Sequence, residues 1–200
     1  DRLAYMASLC DAIEINSSFY RIPSPKVTES WLARVSELPD FRFSAKLYRG
    51  LTHERDANTL PGLMAQYLRA LGPIHDAGRL AAVLLQFPWS FKYGSESLEW
   101  IHRLARELKP LPLAIEVRHT SWLNEEYFEY LKSEGIAFCN IDQPQFSNNI
   151  PPTQIVTASL AYVRFHGRNA ANWFKENEDA GDRYNYLYRR QEIDEWVARI

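Results

Sequence analysis

Glu14, Glu116, Asp142 and His166 stand at or near the ends of short β-rich runs, and so do Lys46, Arg118 and Arg164. The two sets suit two halves of one reaction. Carboxylates and an imidazole exchange protons, whereas a lysine and two arginines hold a phosphate, sulfate or carboxylate, the planar guanidiniums through two donors at once. Glu14 and Glu116 are the candidate acid and base, His166 the preferred proton shuttle and Asp142 a further catalytic carboxylate. The bland reading is an ion-pair network that fills the interior, because buried charge is tolerated only when paired or when serving a ligand. Six acidic and basic groups on several strands exceed what a core needs for specificity, so the set as a whole points to a ligand.

The neighbours extend that site. His166 precedes Gly167, which allows the backbone a sharp turn or a close ligand approach. His119 follows Glu116 by three residues and leads into Ser121-Trp122, where a turn-anchoring role competes with a binding one. His53 lies in a loop after Lys46, while His75 and His102 fall within helical stretches. Phe19, Tyr20, Trp89, Trp122, Trp173, Tyr184 and Tyr186 crowd the same loops and offer ring faces for stacking. The candidate binding set is therefore Asn16, Tyr20, Lys46, His53, Gln86, Arg118, His119, Trp122, Arg164, Arg168, Tyr184 and Tyr186.

These side chains need a scaffold that brings strand ends together. Strand-like runs at 12–16, 41–47, 80–87, 113–117, 136–141 and 161–165 alternate with helical stretches at 3–9, 24–35, 60–75, 95–108 and 124–133. Ser24-Pro25 supplies a helix start, Gly135 a stop, and Leu80 to Phe87 reads as a buried parallel strand. A last helix carries Ile193, Trp196, Val197 and Ile200 at helical spacing, and the chain is expected to end inside it. The connections 143–157 and 168–190 read as loops of one domain. Six strands, each followed by a crossover, imply a parallel α/β sheet. Odd positions in the strands are mainly apolar and even positions carry the charges. A doubly wound sheet has no place for a polar face, but a TIM-type (β/α) barrel does, with its active site at the C-terminal mouth. The expectation is one barrel domain over residues 1–200 with a first and a last strand outside this sequence; a Rossmann-like sheet is the alternative.

Composition narrows the function classes. Hydrophobic residues make up 46% and charged residues 24%, values of a globular chain rather than a disordered one. The net charge of −2 disfavours nucleic acid and anionic membranes as partners, leaving only a local basic cluster to attract them. No apolar run approaches a membrane span. Cys10 and Cys139 form no CxxC pair, and a reducing cytoplasm is the default compartment. No P-loop, GxGxxG, HExxH or GxSxG pattern occurs, so no cofactor is expected.

Glu14-Ile-Asn-Ser-Ser-Phe-Tyr-Arg-Ile-Pro-Ser24, Phe41-Arg-Phe-Ser-Ala-Lys46 with Thr52-His53-Glu54, Leu84-Leu-Gln-Phe-Pro88, Ile115-Glu-Val-Arg-His-Thr-Ser-Trp122 and Tyr162-Val-Arg-Phe-His-Gly-Arg168 together resemble the DUF72, or YecE-like, family. The resemblance runs nearly end to end. It implies a TIM-type barrel with a Gly-rich first strand and a last strand beyond a helix like that at Ile200. His119-Thr120 departs from the family's usual His-Pro, a change that bears on a turn. The resemblance transfers no reaction, so function rests on the side chains. The leading reading is cofactor-independent acid/base chemistry on a small anionic substrate. The alternatives are a metal-dependent phosphodiester-type hydrolase with Glu14, Glu116, Asp142 and His166 as ligands, or a non-catalytic ligand-binding barrel. The interspersed Lys46, Arg118 and Arg164 count against a divalent ion. Substrate and oligomeric state stay open at this level.

Overall fold

The computed structural model describes residues 1–173 and 184–200. The chain is α/β, with strands in the hydrogen-bonded order β1 to β6. It divides into two compact units, the first comprising 1–88 and 94–114 and the second 89–93 and 115–200.

The first unit holds α1 (Arg2–Ala7), β1 (Ala12–Ile15), α2 (Ser17–Tyr20), α3 (Pro25–Arg34), β2 (Arg42–Lys46), a π-helical turn (Gly50–Glu54), α4 (Leu60–Asp76), β3 (Leu80–Gln86) and α5 (Ser95–Glu107). Strands β1, β2 and β3 pair in parallel, Glu14 beside Ser44 and Lys46 beside Leu84. β3 is apolar at Ala82, Val83, Leu84 and Leu85, all fully buried, as a strand covered on both faces must be. Helix α4 supplies cover through Leu60, Met64, Tyr67, Leu71 and Ile74, a fully or almost fully buried stripe at helical spacing. Thr28 Oγ1 donates to the Ala70 carbonyl at 2.8 Å and ties α3 to α4. The end of β2 is pinned as well, because the Lys46 carbonyl accepts from Ser18 Oγ at 2.6 Å and Tyr67 Oη at 3.1 Å.

Strand β4 (Leu113–Glu116) begins in the first unit and ends in the second, which continues with a 3₁₀ turn (Thr120–Trp122), α6 (Glu125–Glu134), β5 (Ala137–Asp142), β6 (Tyr162–Phe165), a second 3₁₀ turn (Ala170–Asn172) and α7 (Arg190–Val197). β5 and β6 pair in parallel, with Asp142 beside Phe165. Asn124 caps α6 by accepting from the Tyr127 amide at 2.9 Å, and Gly135 closes it at a φ of +65°. The connection 143–157 is no free loop, because Asn140 Oδ1 accepts from the Ile155 amide at 2.9 Å and from Thr153 Oγ1 at 2.7 Å. Thr157 Oγ1 in turn donates to the Ile136 carbonyl and accepts from the Phe138 amide, at 2.6 and 2.8 Å.

Several elements differ from the sequence expectation. Ser17–Tyr20 and Gly50–Glu54 are helical turns where loops are expected, the former because Ser18 Oγ donates to the Ile15 and Lys46 carbonyls. Helix α1 stops at Ala7, leaving Leu9 exposed, and α7 stops at Val197 rather than running to Ile200. Of the stripe Ile193, Trp196, Val197 and Ile200 only Trp196 is buried, so nothing apolar holds a further turn in place. The expected loop 168–190 includes residues 174–183, which lie outside the described residues. Among the described residues no helix is long and apolar enough to cross a membrane.

Candidate functional site

Glu116 ends β4 with Arg118 two residues beyond it, Arg164 lies on β6 with His166 directly after that strand, and in the second unit these four side chains meet. Glu116 has no exposed area. Its Oε1 accepts from Arg118 Nη2 at 2.8 Å, Arg118 Nε at 2.9 Å and His166 Nε2 at 3.1 Å. Its Oε2 accepts from Arg164 Nη1 at 2.5 Å. Burial alone would raise the Glu116 carboxyl, but the charges of the neighbouring groups outweigh it and hold the carboxyl well below its ordinary range. Arginines do not deprotonate in proteins, so both guanidiniums keep Glu116 ionised at neutral pH.

His166 is pushed below its ordinary value, first by burial and then by Arg118 and Arg164, with Glu116 opposing. It is therefore neutral at pH 7. Nε2 faces Glu116 Oε1 at 3.1 Å and, farther off, Arg118 Nη2 at 3.4 Å; the nearer carboxylate only accepts, which favours the ring proton on Nε2 over Nδ1. Nδ1 is left with a lone pair and no hydrogen-bond partner among the described residues. Arg118 likewise spends Nε and Nη2 on Glu116, and Nη1 has no partner among them; its side chain is 15% exposed. Trp173 and Tyr184 stand beside this pair, the Trp173 ring 5.9 Å from the Arg118 guanidinium and the Tyr184 ring 6.3 Å from that of His166.

Asp142 belongs to a second constellation in the same unit. Arg168 grips it through Nε at 2.9 Å and Nη2 at 2.7 Å, Tyr188 Oη donates at 2.8 Å and Trp196 Nε1 at 2.6 Å. The carboxyl is lowered although burial opposes it, because three side chains donate to it. Glu192 continues the chain, accepting from Tyr186 Oη at 2.6 Å and the Arg189 amide at 2.8 Å, and it is lowered to about 2. This arrangement fastens α7 to the end of β5. It also reaches His166, since the His166 amide donates to the Asp142 carbonyl and the Gly167 amide to Tyr188 Oη. Gly167 has a φ of +80°, and a Cβ there would stand 2.7 Å from Tyr186 Cβ. Tyr188 and Glu192 escape sequence reasoning, and Trp196 is legible only as part of the apolar stripe of the last helix, not as a donor to Asp142.

The remaining candidates fall in both units. Trp122 is fully buried, stacked on Phe91 and donating Nε1 to the Phe91 carbonyl at 2.7 Å, so it offers no ring face to a ligand. His119 Nδ1 accepts from the Ser121 amide at 3.1 Å and caps the 3₁₀ turn, its ring against Trp89. In the first unit, Lys46 Nζ lies 3.9 Å over the Phe19 ring, which also meets His53 edge-on. Glu14 is half-buried on β1, and Asn16 is exposed at the start of α2. Gln86 is buried and donates to the Phe87 carbonyl, and Tyr20 lines a cleft of about 640 Å³.

As for a metal, both oxygens of Glu116 and both of Asp142 already accept from guanidiniums, surroundings that repel a divalent ion. Among the described residues no three His, Cys, Asp or Glu side chains group as metal ligands would.

The comparisons with known proteins converge. The family model "Protein of unknown function DUF72" matches residues 1–200. The UPF0759 protein YunF of Bacillus subtilis is 31% identical over 94% of this chain and 71% of its own length. The UPF0759 protein YecE of Escherichia coli O157:H7 is 24% identical over 66% of this chain and 47% of its own. Among solved structures, a DUF72 family protein from Thermotoga maritima matches with a TM-score of 0.83 at 33% identity, covering 98% of this chain and 74% of that one. One from Enterococcus faecalis matches with a TM-score of 0.89 at 27% identity, covering 99% and 75%. The chain belongs to the DUF72 family.

Proposed function

We propose that the Glu116 cluster is a cofactor-independent acid/base site for a small substrate bearing a phosphate or carboxylate. One observation carries the reading: Glu116 engages His166 through Nε2 and Arg118 through Nε and Nη2, so that His166 Nδ1 and Arg118 Nη1 are left without partners among the described residues. An acceptor of protons and a donor to anions thereby flank one buried carboxylate.

In this reading Arg118 Nη1 takes an oxygen of the anionic group, with Arg164 adding its charge. His166 Nδ1 removes a proton from the carbon, hydroxyl or water next to that group, and Glu116 stabilises the imidazolium that forms, much as a third group orients a base in other acid/base sites. The same proton returned from Nδ1 completes an isomerisation, elimination or hydrolysis. Asp142 acts through the backbone of His166 and Gly167 as a positioning residue. The scaffold in this reading is one TIM-type barrel domain with Glu116 and His166 at its C-terminal mouth; parallel strands in chain order support it.

Melting temperature tests the anion site. Phosphate should raise it beyond chloride at matched ionic strength, which controls for screening. Arg118→Lys keeps the charge but loses the planar fork and should weaken the response. An unchanged phosphate effect in both Arg118→Lys and Arg164→Ala would make these residues structural ion-pair partners and end the proposal.

A further inference from the structure

The 640 Å³ cleft of the first unit contrasts with the Glu116 and Asp142 clusters in how its polar groups are used. It opens between the segment after β1, helices α3 and α4, and the residues after β2. Three aromatic side chains line it: Tyr20, 65% exposed, with Trp31 and Tyr48 half-buried. Among the described residues Arg21 is the one charged residue of its wall, and none of the acidic ones shares it. The Arg21 guanidinium, the Trp31 indole N–H and the Gln66 amide make no hydrogen bond or ion pair with any described residue. Donors left unspent around a cleft of this size are what a ligand site provides, since volumes of roughly 300–1,000 Å³ suit small molecules.

The rings are also held in place. Tyr20 packs edge-on against the buried Phe19 with centroids 5.0 Å apart. Tyr48 lies so close over Gly50 that a Cβ there would stand 2.7 Å from Tyr48 Cε1 and 3.2 Å from Leu63 Cδ1. Fixed aromatic faces suit a flat ring, and a single cation without a neighbouring acid suits an anionic substituent. We propose that this cleft binds a flat aromatic ring carrying an anionic group, separately from the Glu116 site.

Phenyl phosphate is the probe, with phenol and inorganic phosphate as its two halves, and the Trp31 indole N–H signal of the ¹⁵N-labelled full-length protein is the readout. Phenyl phosphate should shift that signal saturably and bind at least about tenfold more tightly than either half, because ring and anion are held together. Arg21→Gln, an exposed substitution that leaves the core untouched, should weaken binding about tenfold or more. Gly50→Ala should weaken it by displacing Tyr48. Arg118→Lys should leave it unchanged, so failure of the Glu116 reading is distinguishable from failure of this one. Absence of a saturable shift would overturn the inference, as would binding that survives Arg21→Gln and disappears in Arg118→Lys.

Discussion

His166 Nε2 lies 3.1 Å from Glu116 Oε1, and fifty residues of chain separate the two. The contact favours the tautomer of a buried neutral imidazole that leaves Nδ1 as its basic atom. Around the pair, burial and two guanidiniums press the imidazole towards neutrality while the carboxylate resists.

A first prediction concerns that balance. The His166 ring should titrate by NMR with a midpoint below the ordinary value of about 6.5. Glu116→Gln removes the group that favours imidazolium, so the midpoint should fall further. A midpoint above 6.5 in the native protein would mean that Glu116 outweighs burial and both arginines.

Stability should follow the same sign. The folded imidazole binds its proton less readily than the unfolded one, so unfolding takes up protons and stability falls as pH drops below about 6.5. Glu116 adds to the loss below about pH 4.5, because its folded carboxyl is also held below the ordinary range. Melting temperatures from pH 8 to pH 4 should decline, and His166→Gln should flatten the upper part of that decline.

Asp142→Asn should destabilise the protein by about 3 kcal/mol, because it leaves the Arg168 guanidinium and the donors of Tyr188 and Trp196 facing a neutral amide. Trp196→Phe, which removes one donor, should cost about 1–2 kcal/mol. Urea unfolding measures both. A loss below about 0.5 kcal/mol for Asp142→Asn would show that the clasp contributes little to folding.

His119→Ala should cost about 1 kcal/mol through the lost cap on the 3₁₀ turn, with phosphate-dependent stabilisation intact. An anion response abolished by this change would place His119 in the site instead.

Alternation and caps carry far into this structure. Asn124 and Gly135 bound α6 as their chemistry requires, and the placement of Glu116 with Arg118 and of Arg164 with His166 at or near the ends of β4 and β6 is legible from the β-rich runs. What escapes is whatever depends on distant partners. Ser17–Tyr20 reads as a loop because its helicity rests on Ser18 reaching the Lys46 carbonyl, 28 residues away. Asp142 reads as a free catalytic carboxylate because Tyr188 and Trp196, 46 and 54 residues away, leave no local trace of their hydrogen bonds to it. Trp122 reads as a loop aromatic, yet its ring is spent on Phe91. Lys46 shares the charge pattern of Arg118 and Arg164 but lies against Phe19 in the first unit.

The acid/base claim rests on the state of one nitrogen, and long-range ¹H–¹⁵N correlation of the His166 ring at pH 7.5 reads it directly. The spectrum should show a proton on Nε2 and a bare Nδ1, with the Nδ1 signal moving as phosphate is added to the native protein and much less in Arg118→Lys. A proton on Nδ1, or an Nδ1 signal indifferent to phosphate, would contradict the account.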